Sequence, residues 1–254
     1  TTEIYTLSLH DALPIYASST HLTFLTDDQA AILDKLGGLI RNDWQFHWFN
    51  AGHDSFDAFL GDLASRKRKA IRRERSAALA AGITIRHATG ADIREADWDA
   101  FFAFYMNTGA RKWGRPYLNR RFFSEIGARM ADRILLVFAE REGQPIAGAI
   151  NFIGAQTLYG RNWGAIEEHP FLHFEVCYYQ AIEFAIARGL ARVEAGAQGE
   201  HKLARGYRPV LTRSAHFIRD PALARAVARQ LSEERAAVEH EKLQLDSAGP
   251  FRKT

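Results

Sequence analysis

Apolar positions along the chain fall into short runs of two kinds, alternating and helix-spaced, and most elements follow from them. Residues 21–26 alternate as a strand. The next segment, DDQAAILDKLGG, has Thr26 or Asp27 as N-cap, Ala31, Ile32, Leu33 and Leu36 in an apolar run, and glycines as a stop, which predicts a short helix. Residues 44–50 alternate aromatics as a second strand. From Ser55, a good N-cap, Phe56, Phe59, Leu60 and Leu63 mark one helical face, and this helix is expected to continue to Gly82. Residues 83–88 read as a strand. Two helices follow, one with Trp98, Phe101, Phe102 and Tyr105 inward and one over residues 119–130.

The clearest local signal is RILLVFAEREGQPIAGAINFIGAQTLYGRNWGAI, three strands joined by tight turns at Gly143–Gln144 and Gln156–Thr157. HFEVCYYQAIEFAIARGL is a largely apolar helix ending at Gly189, and ARVEAG is a strand. Residues 212–218 form another strand, and a charged, alanine-rich helix runs from Pro221 to about Leu245. This order predicts an α/β or α+β domain with a mixed central sheet flanked by helices. P-loop, GxGxxG and GxSxG motifs are absent.

A length of 254 residues fits one large domain, or one domain with part of another. With 47% hydrophobic and 25% charged residues the composition is that of a soluble globular chain. No run approaches the ~18 apolar residues of a membrane span. The single cysteine, Cys177, excludes an intramolecular disulfide, favours a reducing, cytoplasmic compartment and reads as a core thiol. A net charge of +3 says little, but its distribution says more: residues 66–75, RKRKAIRRER, hold seven basic side chains and one acidic one. Arg66, Lys67, Arg68, Lys69, Arg72 and Arg73 are therefore candidate polyanion contacts, whether for tRNA, a CoA phosphate or the headgroups of a membrane surface. The competing reading is a solvated helix face.

Two further segments carry candidate chemistry. His173 and Glu175, with Glu167, Glu168 and His169, flank the start of the apolar helix. A carboxylate or imidazole in a partly dry site can take the proton of an attacking amine, and the same groups can serve as caps and ion pairs. HExxH spacing is absent and no metal is expected. The loop RVEAGAQGEHKLARGYRP is unusually polar for the end of a strand. Gly196 and Gly199 allow close backbone approach, and Lys202, Arg205 and Arg208, with His201, can bond phosphate or carboxylate; an ordinary crossover is the alternative. Asn162 and Trp163 on the neighbouring strand can line the same cleft. Trp113, in the basic and aromatic ARKWGRPYLNRR, can form an acceptor-side wall or stack on a base, and a packed Trp113 with solvated arginines is the alternative.

The element order resembles that of the GNAT acyltransferases. The strings SRKRKAIRRER, RKWGRPYLNRRFF, YGRNWGAIEEHPFLHFEVCYYQAIEFAI and EAGAQGEHKLARGYRP are similar to those of the FemAB-like, peptidoglycan biosynthesis/recognition N-acyltransferases. The resemblance implies a tandem GNAT-like architecture with its first domain truncated. Residues 16–52 would be the C-terminal remnant of that domain and residues 53–254 the second domain. Residues 1–15, TTEIYTLSLHDALPI, resemble translated sequencing-adapter sequence and are expected to be a non-native leader. The resemblance also implies transfer of an acyl group from acyl-CoA, as co-substrate, to a small-molecule or cell-wall-precursor amine. Its alternatives are a Fem-type transferase using aminoacyl-tRNA on peptidoglycan precursors, and a catalytically silent binding module. It places Glu194 where GNAT sheets splay, making Glu194 or Glu175 the expected base, and it carries Lys202, Arg205 and Gly206 over from the basic, glycine-containing segment of Fem-type transferases.

Overall fold

The computed structural model describes residues 17–111, 116–247 and 249–251. Its elements are β1 (Ser19–Leu25), α1 (Asp27–Lys35), β2 (Leu39–Phe49), α2 (Phe56–Asp62), α3 (Ser65–Leu79), β3 (Ile83–Thr89), α4 (Glu95–Arg111), α5 (Arg120–Met130), β4 (Ile134–Arg141), β5 (Gln144–Ile153), β6 (Thr157–Ala165), α6 (172–187), β7 (Arg192–Glu194), β8 (Arg208–Ile218) and α7 (Pro221–Ser247). They divide into two compact units, one of residues up to 45 with 209–247, the other of residues 46–208 with 249–251. The expected leader and Trp113 lie outside the described residues. The division falls within β2 and β8, whereas the sequence reading placed it after residue 52.

In the smaller unit β1 pairs antiparallel with β8, Ser19 opposite Ile218 and Leu25 opposite Arg213. Thr26 caps α1 in a capping box with Gln29, which settles the choice between Thr26 and Asp27. On α7 the buried positions Leu231, Val238 and Leu245 recur every seventh residue, on one face. Arg41 and Trp44 of β2 bond its Glu234 and Glu241, at 2.7 and 3.2 Å.

The larger unit is built on a mixed sheet with strand order β2-β7-β6-β5-β4-β3, helices covering it, as the GNAT-like expectation requires. Among the described residues of this unit, only the β6–β7 pairing is parallel. β4 is buried along Ile134–Ala139 because it is covered on both faces. Ile134, Leu136 and Phe138 pack with Trp98, Phe101, Phe104 and Tyr105 of α4 and Phe123 of α5. The opposite face meets α6, whose Val176, Tyr179 and Ile182 are fully buried. Phe104 takes the inward place expected of Phe102, which is only partly buried.

Two local differences from the sequence reading have physical causes. The expected long helix over 55–82 is broken between α2 and α3, because Leu63 turns extended and bridges Phe251 while the Ala64 N–H bonds Pro250 O at 2.9 Å. The β4–β5 turn is centred on Glu142 and Gly143, both at positive φ (54° and 73°), one residue earlier than expected. That is the pair of conformations a two-residue hairpin needs to match strand twist.

Candidate functional site

The site forms where the sheet's one parallel pairing ends. β6 and β7 are in register from Thr157↔Arg192 to Tyr159↔Glu194. Beyond that point the chain after β7 stays with β2, its antiparallel neighbour on the other side: the Ala195 N–H bonds Phe46 O, and the Phe46 N–H bonds Gly196 O, both at 3.0 Å. β6 instead stays with β5, through a register shift that leaves Arg161 as an extra residue between Gly160 and Asn162. The strands therefore part, and a cleft of about 130 Å³ opens between them. Its walls include Asn151, Arg161, Asn162, Trp163, His173 and Tyr178. No carboxylate lines it among the described residues.

α6 supplies the aromatic wall through an irregularity. Leu172–Phe174 opens the helix, Glu175–Tyr179 is a π-helical turn, and Gln180–Ala187 continues as α-helix. The Gln180 N–H reaches back five residues to Glu175 O. Such a turn inserts one residue into the helical repeat and re-aims the side chains on it, which is why π turns recur at functional sites. Here the His173 ring lies 5.2 Å from both Trp163 and Tyr178, centroid to centroid. The Tyr178 hydroxyl lies 3.0 Å from His201 Nε2.

Of the sequence candidates, Asn162, Trp163, His173 and, through Tyr178, His201 come together at this cleft. Glu175 does not face it. Its carboxylate is wholly buried, accepting from Arg75 Nε and Nη2 at 3.0 and 2.8 Å and from Gln180 Nε2 at 2.7 Å. Arg75 also bonds Glu183; burial opposes its charge, but the bonds to Glu183 and Glu175 outweigh that and hold its pKa well above the ordinary value. With its oxygens so occupied, Glu175 acts as a buried ion-pair partner. Glu194 is partly buried beside Arg192 (3.1 Å) and His47 (3.9 Å), and burial raises its pKa.

The charges of the polar loop are likewise used within the protein. Lys202, 3% exposed, donates to the carbonyls of Ala195, Gly196 and Gln198 at 2.6, 3.1 and 2.5 Å, and burial lowers its pKa to about 8. It ties down the segment that leaves the sheet. Arg205 donates to His201 O and Glu74 at 2.7 and 2.8 Å and stacks 3.5 Å above the Phe174 ring. Glu74 also accepts from the Tyr179 hydroxyl. Gly206 sits at φ 89° with Phe59 where a Cβ would be, and Gly196 and Gly199 also take positive φ, so these glycines serve the turn itself. Arg208 lies over Phe251 at 4.5 Å. Lys202, Arg205 and Gly206, expected to bind ligand, here hold the turn together, with Arg205 Nε left as a buried donor that has no partner among the described residues.

The basic run is divided by the helix that carries it. Arg66, Lys69 and Arg73 line one groove on α3 with Ser65 and Ala70. Arg72 pairs with Asp57 at 2.8 Å, and Lys67 and Arg68 are half-buried. At the start of α6, Glu167 bonds Arg141 at 2.7 Å and His169 at 2.8 Å, and these partners hold its carboxyl at about 2. Tyr178, Arg161 and Asn151 as wall residues, and Glu74 and Arg75 as anchors, carry no local signal in the sequence beyond the one acid inside the basic run. No three metal-ligating side chains converge among the described residues.

A family model described as FemAB_like, peptidoglycan biosynthesis/recognition, matches residues 9–253. No curated protein matches the chain in sequence. Among solved structures, the chain resembles the C-terminal domain of a putative lysylphosphatidylglycerol synthetase from Agrobacterium fabrum (TM-score 0.60, 10% identity, covering 88% of this chain and 74% of that one). L-PGS from Bacillus licheniformis gives TM-score 0.58 at 11% identity, covering 83% and 72%. FemX gives TM-score 0.52 at 12% identity, covering 87% and 70%. At these identities the likeness is one of fold.

Proposed function

The chain belongs to the FemAB-like family of peptidoglycan biosynthesis/recognition proteins, and on that premise we propose that it is a Fem-type N-acyltransferase. In this reading it moves an aminoacyl group from aminoacyl-tRNA to an amine of a peptidoglycan precursor. The bond is made in the β6–β7 cleft. The amine attacks the ester carbonyl directly, and backbone N–H groups of β6 past Tyr159, with the Asn162 amide, face the developing oxyanion.

The choice of donor rests on where the exposed cations lie. A CoA pyrophosphate would be expected at the start of α6, where Glu167 stands as a carboxylate held by Arg141 and His169. The exposed cations Arg66, Lys69 and Arg73 instead share the groove on α3. A polyphosphate chain gains there from counterion release. Acyl-CoA is the second reading, favoured by the parted parallel strands, since a GNAT-like fold admits its acyl donor at such a point.

Equilibrium binding of tRNA and of CoA at low and high salt separates the two. The expected result is tRNA binding that weakens steeply with salt, with R66E/K69E/R73E reducing both affinity and the slope of log K against log salt by about 2–3. Salt-resistant CoA binding with none to tRNA would overturn the donor assignment.

A further inference from the structure

We propose that Tyr178 and His201 form a proton exit from the cleft, the tyrosine hydroxyl taking the proton of the attacking amine while passing its own to His201 Nε2. The proposal rests on the transferase reading above. Its starting point is that amide formation releases a proton in a cleft whose walls hold no carboxylate among the described residues. Glu175 is closed off by Arg75 and Gln180. Tyr178 is a wall residue, only 5% exposed, and its hydroxyl is 3.0 Å from an imidazole that is itself exposed to solvent. The pair thus connects the α6 wall of the cleft to water in one step.

The surroundings fix the direction of transfer. From α6, Tyr178, His173 and Phe174 face His201, with ring centroids 5.6, 6.2 and 5.2 Å away. From its own turn come Lys202 and Arg205, and from α3 comes Glu74, which holds Arg205. Burial, then Arg205 and Lys202, lower the His201 pKa, so its ring is neutral at pH 7 and able to accept. Burial raises that of Tyr178, which keeps its proton and donates the hydrogen bond. Nε2 is then the acceptor and Nδ1 carries the ring proton.

The step balances. As the C–N bond forms, one proton moves from nitrogen to Tyr178 Oη and the tyrosine proton moves to His201 Nε2. The ester C–O bond breaks, His201 gives its proton to water, and the departing hydroxyl oxygen takes one from water. Tyr178 is neutral before and after. Because protonated His201 cannot accept, the rate falls as pH drops through the lowered His201 pKa.

Two measurements on the full chain test this. Nitrogen-15 NMR of the histidine rings should show His201 as the Nδ1–H tautomer with a titration midpoint below 6.5; in Tyr178→Phe the midpoint should rise and the Nε2–H tautomer gain. A wild-type Nε2–H tautomer unmoved by Tyr178→Phe would overturn the dyad whatever the activity. In the transfer reaction, Tyr178→Phe and His201→Gln should each cost on the order of 10²-fold in kcat. The double variant should be no worse, and the acid limb of the pH profile should vanish in His201→Gln. Normal turnover with the acid limb intact in His201→Gln would overturn the relay while leaving the transferase reading standing. A wild type with the dyad in place but no transfer would instead overturn that reading, and the relay with it.

Discussion

At the residue scale, titratable side chains near the cleft divide into those that face it and those that hold its walls. Arg161, His173, Cys177 and Tyr178 line it, while Glu74, Arg75, Glu175, Lys202 and Arg205 find partners inside the protein. Glu175 discriminates between the two jobs. Removing one partner of a lone buried ion pair costs about 3–5 kcal/mol; Arg75 keeps Glu183 as a counter-charge, so the loss of Glu175 costs less than that. Glu175→Ala should therefore lower the melting temperature, and Glu175→Gln, which keeps an acceptor for Arg75, should lower it less. A melting temperature unchanged in both variants, with turnover abolished, would return Glu175 to the role of base. These pairings were not legible in the sequence. It displays the charges, but Arg75 and Glu175 are 100 residues apart and Glu74 and Arg205 are 131 apart. A run of seven cations looks uniform until the helix assigns each a face.

At the element scale, α4 packs closely on β6, the strand that supplies one wall of the cleft. Gly164 is the contact point, since a Cβ there would lie 2.2 Å from Phe104 O, a backbone atom that cannot swing aside. Gly164→Ala should force α4 off the sheet and destabilise the protein by about 1–3 kcal/mol, the usual cost of overpacking. Denaturant melts would check this, and an unchanged midpoint would mean that α4 yields freely. Most elements were readable because period and punctuation agreed: the β4–β5–β6 meander has tight turns between apolar runs, and Ser55 and Asn119 cap α2 and α5 as N-caps should. The break at Leu63 was not readable, because Leu63 continues the helical face of Phe56, Phe59 and Leu60. What stops the helix is pairing with Phe251, far along the chain. The π turn was equally hidden, since an inserted residue leaves an apolar helix apolar.

At the scale of the whole molecule, the fold was legible from element order, and the chain's family from four unusual strings within it. The cleft was foreseen only in part: Asn162, Trp163, His173 and His201 were among the candidates, while the parting of β6 and β7 depends on pairings no local pattern encodes. No helix among the described residues is long and apolar enough to cross a membrane. The larger unit carries the cleft, the α3 groove and the Tyr178–His201 pair, so its chemistry can be followed with one reaction. That reaction is single-turnover transfer of a labelled aminoacyl group from charged tRNA to a peptidoglycan-precursor amine. The expected result is label on the amine, with transfer reduced at least about tenfold at limiting tRNA in R66E/K69E/R73E. Label that stays on tRNA, but moves from acyl-CoA to the same amine, would contradict the donor; label that moves from neither would leave a binding module and contradict the transferase.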